Sequence, residues 1–311
     1  MKIVFMGTPH AAVPTLRQCL ADGHEVVAVW TQPDRPSGRG YRVSFSPVKE
    51  FALAHGLTIH QPARIKNEEA KQLFAAHNAE VAVVVAYGRI LPEEFLRAPR
   101  RGCINVHFSL LPLYRGAAPA NWAIVNGETV TGVTTMFIEP ELDTGPILLQ
   151  RKTQIGESET APELMERLAE IGAVLLGETL TRLNELTPRP QHDRDATFAP
   201  VLKKEDGLID WSQSAFTIER CVRGFQPWPN AYTSFRSKGL TVFRAQPIQL
   251  PASEGLVGQV IAAHGGDLVV SCGEQTALRL LEVQPESRKR MPAAHFMSGV
   301  HLKVGDRFGK V

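Results

Sequence analysis

The sequence predicts an α/β protein: a Rossmann-like N-terminal domain built on a parallel sheet, and a smaller C-terminal β-barrel that resembles an OB fold. Over the first 188 residues, short apolar, β-rich runs alternate with helical segments, which is typical of a parallel sheet covered by helices on both faces. A Pro-rich polar stretch, TPRPQHDRDATFAP, follows and is typical of a linker. Beyond it the runs become short and alternating, with turn signals between them, which predicts an antiparallel barrel or sandwich.

The N-terminal elements begin with a strand from Lys2 to Met6, which ends in the turn Gly7-Thr8-Pro9. A helix to about Ala21 follows. In parallel sheets ligands bind outside the carboxyl ends of the strands, so we expect a site there. The further predicted strands are Glu25 to Trp30, Val81 to Ala86 and Ile104 to Val106, and the further helices are Ser46 to His55, Glu68 to His77 and Thr160 to Leu186.

A long loop separates the second strand from the next helix. Pro47 follows Ser46 as a first-turn proline follows an N-cap, which predicts where that helix begins. The loop from Gln32 to Phe45, QPDRPSGRGYRVSF, has 14 residues and no predicted element of its own. Loops of this length in compact domains are usually functional or disordered. If the loop were only a mobile surface insertion, its three arginines would have no function. They are Arg35, Arg39 and Arg42.

The C-terminal domain is predicted to open with a helix from Ser212 to Phe225. Short alternating runs follow, separated by the turn signals SKG, HGGD and GEQ. They are Ala231 to Arg236, Leu240 to Ala245, Gly258 to Ala263, Leu268 to Cys272 and Ala277 to Val283. The predicted limits are 1–188 for the first domain, 189–205 for the linker and 206–311 for the second domain.

Composition excludes several classes of protein. Of the 311 residues, 43% are hydrophobic and 21% are charged, which is ordinary for a globular chain and excludes disorder as the dominant state. No apolar run reaches the roughly 18 residues that a membrane span needs, and the N-terminus lacks the apolar core of a signal peptide. The four cysteines form no CxxC pair, so we predict a cytoplasmic protein with reduced thiols and no zinc site.

The net charge of +2 is unevenly distributed. Residues 1–188 carry 18 basic and 20 acidic side chains, and the remaining residues carry 16 and 12. A field this modest cannot hold a nucleic acid by bulk attraction. A mildly basic second domain beside an acidic first domain, together with an arginine-bearing loop, could orient one.

The densest cluster of reactive residue types surrounds Asn105 and His107, with an acid at Asp143 in the run ELDTG. Asn105 and His107 are two residues apart on a predicted strand, so their side chains share a face and can converge on one substrate atom. An asparagine amide donates a hydrogen bond without titrating, while histidine can donate, accept or pass a proton. A carboxylate beside the histidine favours its charged form. The trio suits acyl transfer to an amine, in which an oxyanion develops and the nitrogen loses a proton.

The same residues also allow structural interpretations. A histidine at a strand end is often satisfied by a backbone carbonyl, and Asp143 before Thr-Gly could be a turn residue that bonds its own backbone. The turn Gly7-Thr8-Pro9 lacks the spacing of a dinucleotide fingerprint or a P-loop. The sequence has no G-x-S-x-G and no H-E-x-x-H motif, which argues against a serine hydrolase or a zinc protease.

Longer stretches carry a resemblance to a known family. These stretches are CINVHFSLLPLYRGAAPANWAI, GVTTMFIEPELDTGPIL, the opening FMGTP, the loop TQPDRPSGRG, VVVAYGRILP and IDWSQSAFTIERCVRGFQPWPNAYT. Together they resemble the methionyl-tRNA formyltransferases of bacteria and organelles, essentially from end to end. The resemblance implies transfer of the formyl group of 10-formyltetrahydrofolate to the free amino group of initiator methionyl-tRNA, for translation initiation. It also implies a cytoplasmic monomer that binds folate and the acceptor stem of the tRNA, without a metal and without a membrane.

Matched positions imply the roles of individual residues. Asn105, His107 and Asp143 fall on the catalytic trio of the family. Tetrahydrofolate is expected at Ser109, Leu110, Leu111, Pro112, Arg89, Ile90, Leu91 and Ile138. The acceptor stem is expected at Arg39, with Arg42 and Arg35 in the same loop. Two departures from the family pattern are Tyr41-Arg42 in place of a lysine pair, which removes one positive charge, and His10-Ala11 in place of an aromatic residue.

Two other interpretations stay open on the residues alone. The Asn-x-His and Asp motif also marks relatives that use the same formyl donor: formyltransferases acting on a small amine, and formyltetrahydrofolate hydrolases. A non-catalytic tRNA- or folate-binding protein on the same scaffold is a third possibility. Retention of all three reactive residues argues against a mere binding protein, which has no need of them.

Overall fold

The computed structural model of this chain describes residues 1–37, 42–251 and 255–309. The chain forms two compact units. We call them the N-terminal unit (Met1–Pro119, Val130–Gln154 and Met165–Ala199) and the C-terminal unit (Ala120–Thr129, Ile155–Leu164 and Pro200–Val311). The units interleave along the chain, since residues 120–129 and 155–164 group with the C-terminal unit. The domain limits at residues 188 and 206 stay a prediction.

The strands and helices are as follows. The N-terminal unit contains β1 (Lys2–Gly7), β2 (Glu25–Trp30), β3 (Arg35–Ser37), β4 (Arg42–Ser44), β5 (Ile59–His60), β6 (Val81–Val85), β7 (Cys103–His107), β8 (Arg115–Gly116), β9 (Val130–Phe137), β10 (Ile147–Gln154) and β11 (Phe198–Ala199). The C-terminal unit contains β12 (Ala231–Phe235), β13 (Lys238–Gln249), β14 (Val260–His264), β15 (Asp267–Ser271), β16 (Thr276–Pro285) and β17 (Met291–Pro292). The helices are α1 (Val13–Ala21), α2 (Pro47–Ala54), α3 (Glu68–Ala76), α4 (Glu93–Arg97), α5 (Pro119–Val125), α6 (Ala161–Thr181), α7 (Ala215–Gly224) and α8 (Ala293–Val300).

The predicted parallel sheet lies at the centre of the N-terminal unit. Its strands follow the order β10-β9-β7-β6-β1-β2-β5, and the five from β7 to β5 in this order are parallel. Every side chain of β6 is buried, because a strand in a sheet covered on both faces has no solvated side. The predicted Rossmann-like α/β fold is confirmed, and the carboxyl ends of these strands form one edge of the sheet.

Two antiparallel strands extend this sheet beyond the sequence prediction. β9 pairs antiparallel with β7, and β10 pairs antiparallel with β9. β9 contains three buried threonines at 131, 134 and 135, so it lacks the continuous apolar run that marks β6. The sheet is therefore mixed, and β9 brings a following loop to the end of β7.

Two helices of the N-terminal unit have capped N-termini, and the cap of α2 was predicted. Ser46 accepts a hydrogen bond of 3.2 Å from the backbone N–H of Lys49, and Pro47 occupies the first turn of α2, which is the predicted cap. Asn67 caps α3 by accepting from the backbone N–H of Ala70 at 3.1 Å. Within the described ranges, no helix is both long and apolar enough to cross a membrane.

The long loop after β2 contains two short strands, so the expectation that it has no element of its own was wrong. β3 and β4 pair antiparallel within it, with Arg35 opposite Ser44 and Ser37 opposite Arg42. Each strand has only three residues, too few for an alternating pattern to stand out in the sequence. Residues 38–41, which include Arg39, lie outside the described residues.

The C-terminal unit contains the predicted antiparallel barrel. Its strands follow the order β12-β13-β16-β15-β14, with β17 beside β16. The chain end joins the two outer strands: Phe308 pairs with Phe235 of β12, and Arg307 pairs with Gln259 beside β14. The backbone N–H of Phe308 donates to the oxygen of Gly258 at 2.8 Å. This closure satisfies both edges of the sheet, as a barrel requires.

A cluster of one tryptophan and two histidines makes the stability of the N-terminal unit sensitive to pH. The indole N–H of Trp30 donates to Nε2 of His77 at 3.2 Å, and the rings of His60 and His77 are 5.0 Å apart. Burial lowers the pKa of His60, and burial together with the neighbouring His60 lowers the pKa of His77. The folded chain therefore binds fewer protons than the unfolded chain near pH 6.

We expect the melting temperature to fall as the pH drops from 7.5 to 5.5. A histidine whose pKa is lowered on folding stabilises the fold above its unfolded pKa of about 6.5 and loses this contribution in acid. His77→Gln should reduce the fall, measured by circular dichroism in buffers of equal ionic strength. His55→Gln, at an exposed position, serves as the control. A fall of equal size in His77→Gln and wild type would contradict the assignment.

Candidate active site

Asn105 and His107 lie side by side at the carboxyl end of β7. Alternate residues of a strand face opposite sides, so Ile104 and Val106 point the other way. On that side Val106 packs closely against α6, where a Cβ added to Gly172 would lie 2.8 Å from a Val106 methyl carbon. The helix covers one face of β7. Asn105 and His107 share the opposite face, as their spacing predicts.

Asp143 reaches this face from the loop between β9 and β10. Its Oδ2 atom lies 3.6 Å from Nδ1 of His107 and accepts a hydrogen bond of 2.8 Å from the backbone N–H of Gly116. The side chains of His107 and Asp143 are 6% and 10% exposed. Because both side chains are largely buried, water screens any charge interaction between them only weakly.

The second ring nitrogen of His107 also faces an acceptor. Nε2 lies 3.0 Å from the backbone oxygen of Tyr114. The hydrogen bond at Nε2 and the Asp143 carboxylate 3.6 Å from Nδ1 hold the ring from two sides. The site therefore fixes the orientation of the ring. No sequence signal points to Tyr114 as a partner, because every residue has a backbone carbonyl.

Asn105 offers a hydrogen-bond donor that the protein does not use. The residue is half-buried, and within the described ranges its side-chain amide has no hydrogen-bond partner. An unpaired amide N–H can stabilise negative charge on an oxygen of a bound molecule. Asn105 presents such a donor beside His107 at the end of β7.

The segment from Ser109 to Pro112 is fixed by hydrogen bonds within the unit. The Ser109 hydroxyl donates to the backbone oxygen of Leu113 at 2.6 Å. Thr134 donates to the oxygen of Ser109 and accepts from the N–H of Leu111, at 2.7 and 3.1 Å. Ser109 and Leu111 are buried, while Leu110 and Pro112 are half-buried. The structure gives this segment a rigid backbone, and its contact with a folate stays a prediction.

Arg89 and Ile90 line a cleft of about 570 Å³ on the same edge of the sheet. Ile90 is 65% exposed, whereas Leu91 is buried beneath it at 7%, and Ile138 is half-buried and packs against the core of the unit. The cleft combines apolar and cationic side chains. Its other lining residues, which the sequence analysis does not identify, are Arg64, Ile65, Lys66 and Asn67.

Gln32 holds the Arg89 side chain at the wall of this cleft. The Gln32 side-chain oxygen accepts from Nε of Arg89 at 3.0 Å, and its amide donates to the backbone oxygen of Tyr87 at 2.9 Å. Arg89 also donates from Nη1 to the oxygen of Pro62 at 3.2 Å. Two hydrogen bonds therefore fix the guanidinium, and neither of them uses Nη2.

The loop arginines lie on or between β3 and β4. Arg35 is in β3 and Arg42 is in β4, so the pairing of these strands brings their backbones together. Arg39 lies outside the described residues. Binding of tRNA by these three arginines stays a prediction.

The described part of the chain contains no group of three His, Cys, Asp or Glu side chains placed to hold a metal ion.

Two family models match the chain. The family described as "Formyl transferase" matches residues 1–180, and "Formyl transferase, C-terminal domain" matches residues 201–301. A methionyl-tRNA formyltransferase of Solibacter usitatus is 49% identical over 100% of this chain and 99% of its own length. One of Citrifermentans bemidjiense is 47% identical over 100% of this chain and 97% of its own length.

Solved structures share the fold at lower identity. The N-formyltransferase of Helicobacter canadensis, in complex with folinic acid and dTDP-3-aminofucose, matches with a TM-score of 0.66 and 18% identity, over 92% of this chain and 99% of that chain. HypX of Aquifex aeolicus in complex with tetrahydrofolic acid matches with a TM-score of 0.63 and 18% identity, over 98% of this chain and 48% of that chain. At these identities the likeness concerns the fold.

Proposed function

This chain belongs to the methionyl-tRNA formyltransferase family, and on this premise we propose that it transfers the formyl group of 10-formyltetrahydrofolate to the amino group of initiator methionyl-tRNA. The observation that carries the proposal is the meeting of Asn105, His107 and Asp143 at the end of β7. Formyl transfer requires donors to the formyl oxygen and an acceptor for the proton of the amine. These three side chains offer both.

The lining of the cleft beside β6 supports binding of the folate donor. A folate joins a flat pterin, which carries hydrogen-bonding groups, and an apolar benzene ring to the carboxylates of a glutamate, and the formyl form supplies an activated formyl group. Ile65 and Ile90 offer apolar surface, while Arg64, Lys66 and Arg89 offer positive charge. We propose that the remaining contacts come from backbone groups and packing at Ser109, Leu110, Leu111, Pro112, Leu91 and Ile138.

Asn105 and His107 are proposed to stabilise the oxyanion. When the amine attacks the formyl carbon, negative charge develops on the formyl oxygen. The free amide N–H of Asn105 donates to this oxygen, and the His107 ring, which Tyr114 and Asp143 hold from two sides, lies beside it. Donors that are already oriented need no rearrangement during the reaction, which is why such groups contribute strongly to catalysis.

Asp143 is proposed to serve both the histidine and the proton transfer. Its Oδ2 atom faces His107 and Gly116. Within the described ranges its Oδ1 atom has no hydrogen-bond partner. This second oxygen can accept a proton from the attacking amine through an ordered water. The carboxylate therefore helps to orient the ring and provides the acceptor that the amine needs.

A formyl-transfer assay with and without methionyl-tRNA tests the function. The proposal expects labelled formyl from 10-formyltetrahydrofolate on methionyl-tRNA, and little consumption of the donor without the tRNA. Turnover with a small amine and no tRNA would favour a small-molecule formyltransferase. Release of formate without any amine would favour a hydrolase, and binding of tRNA or folate without turnover would favour a binding protein.

Arg64→Ala should raise KM for 10-formyltetrahydrofolate about 5- to 10-fold and change kcat little, because a charge that contacts only the bound donor contributes equally before and during the reaction. Steady-state kinetics at saturating methionyl-tRNA measure the effect. Arg17→Ala is the matched control, since Arg17 pairs with the exposed Glu170 at 2.8 Å. An unchanged KM in Arg64→Ala would contradict the proposed donor site.

Arg39→Ala is expected to weaken tRNA binding and its dependence on salt. The loop that carries Arg35, Arg39 and Arg42 is proposed to meet the acceptor stem, and each phosphate contact contributes roughly 0.7 to 0.9 to the slope of log affinity against log salt. Filter binding at several salt concentrations measures the slope. If affinity and slope matched those of the wild type, Arg39 would have no part in tRNA binding.

The reaction is proposed to take place in the cytoplasm, where initiator methionyl-tRNA is charged and used. We propose that the protein acts as a monomer, and sedimentation at working concentration tests this.

A further inference from the structure

Residues 189–199, which the sequence analysis assigns to a linker, form a strap across the candidate active site. At one end Arg189 and Ile147 exchange two backbone hydrogen bonds of 2.7 and 2.8 Å. At the other end β11 pairs in parallel with β8. The N–H of Tyr114 donates to the Thr197 hydroxyl at 2.8 Å. The strap is therefore bonded to the start of β10 at one end and to the segment that follows β7 at the other.

Gln191, in the middle of this strap, holds the backbone on both sides of Thr144. Its side-chain amide donates to the oxygen of Asp143 and to the oxygen of Gly145, each at 2.8 Å. The two hydrogens of one amide group thus serve two carbonyls of the same loop. The reverse orientation of the amide would place its oxygen against two other oxygens, so only one orientation fits.

A buried arginine reinforces that orientation. Nε of Arg115 donates to the side-chain oxygen of Gln191 at 3.0 Å, and Nη1 donates to Asp193 at 2.9 Å. Arg115 is only 5% exposed. A cation that donates to the amide oxygen also polarises the amide and strengthens the bonds donated by its nitrogen. The next residue, Gly116, donates its N–H to the Asp143 carboxylate at 2.8 Å.

The position of the Asp143 carboxylate depends on a left-handed backbone conformation. Its φ angle is +56°, in the left-handed region that residues other than glycine rarely adopt. A conformation of this kind persists when its surroundings determine it. The 3.6 Å between Asp143 and His107 depends on that backbone, and a shift of about 1 Å in a catalytic group can cost about 100-fold in rate.

We propose that Gln191, oriented by Arg115, is a positioning residue that sets Asp143 against His107 through the two carbonyl oxygens on either side of Thr144. The inference rests on the proposed function, because it assigns Gln191 to the geometry of that reaction. Gln191 is remote in sequence from the catalytic residues and acts through Asp143, without touching the substrates.

Two variants of Gln191 test the proposal. Gln191→Leu removes both donors at similar volume. Gln191→Glu keeps an oxygen for Arg115 but places an acceptor against the carbonyls of Asp143 and Gly145. Both should lower kcat about 10- to 100-fold, with KM for donor and tRNA within about threefold of wild type. Gln249→Leu is the matched control, since Gln249 donates to a single carbonyl of the C-terminal unit at 3.1 Å and should retain wild-type kcat.

A double-variant cycle separates positioning from general stability. If Gln191 acts through Asp143, adding Gln191→Leu to Asp143→Asn should cost less than about twofold more, because the group it positions is already lost. If Gln191 only stabilised the fold, Gln191→Leu would lower kcat by the same factor in the Asp143→Asn variant as in the wild type. Circular dichroism and thermal melting of each variant accompany the kinetics.

The outcomes distinguish this proposal from the proposed function. Wild-type kcat in Gln191→Leu, a loss confined to KM, or full additivity with Asp143→Asn would overturn the positioning role. Failure of both Gln191 variants to fold would also overturn it, because Gln191 would then serve the stability of the unit. Failure of the wild type to formylate methionyl-tRNA would refute the proposed function and with it the positioning role.

Discussion

Asp143→Asn is expected to lower kcat by about 1000-fold while the fold and both KM values stay near those of the wild type. The exchange places a neutral amide where a carboxylate oxygen lies 3.6 Å from Nδ1 of His107. Without the carboxylate, the ring loses the partner that faces Nδ1, and the reaction loses its proposed proton acceptor. In enzymes that pair Asp with His, the same exchange lowers turnover by about 10 000-fold. The longer distance in this protein argues for a smaller loss.

Asparagine at this position removes the charge of the side chain and is compatible with the same backbone conformation. Among residues other than glycine, asparagine and aspartate are the ones that best tolerate a left-handed backbone, and an asparagine oxygen can still accept from the N–H of Gly116. Rapid-quench single-turnover kinetics with bound donor and tRNA measure the chemical step, and thermal melting checks the fold. Turnover within tenfold of the wild type would exclude Asp143 from the mechanism.

Asn105→Ala is expected to lower kcat by about 100- to 1000-fold, since removing one oxyanion donor typically has an effect of this size. The amide of Asn105 has no partner among the residues that the structure describes, so its removal breaks no hydrogen bond of the free protein. The melting temperature should therefore change little. The loss should appear in kcat and in kcat/KM alike, because the interaction forms only as charge develops.

Asn184→Ala provides the control for this variant. Asn184 is exposed and accepts a hydrogen bond of 2.7 Å from Arg101 on the surface of the same unit. It should retain wild-type kcat, which shows that loss of an asparagine amide elsewhere is harmless. If Asn105→Ala turned over as fast as Asn184→Ala, the oxyanion would have to be stabilised by other groups.

The fold was predictable where burial leaves a mark on the sequence. β6 is apolar at all five positions because both its faces are covered, and the cap at Ser46 shows where α2 begins. β9 was not predicted, because its buried threonines interrupt the apolar pattern. The hydroxyls of Thr134 and Thr135 form hydrogen bonds inside the unit, such as the 2.8 Å bond between Thr135 and Thr179. Such pairing depends on residues far apart in the chain.

The candidate site, like the fold, was predictable from the sequence only in part. The sequence by itself determined that Asn105 and His107 share a face, because a spacing of two on a strand has that consequence wherever the strand lies. The cluster of reactive residue types and the family resemblance brought Asp143 into the same hypothesis. The distance between Asp143 and His107 was not part of it.

Only the tertiary structure decided how these residues are held. The carbonyl of Tyr114 faces His107, the N–H of Gly116 faces Asp143, and Gln191 reaches the Asp143 loop from a segment whose composition is typical of a linker. The physical reason is that two of these partners are backbone groups, which every residue carries. The third is a glutamine whose role depends on the path of the chain, and residue type does not show that path.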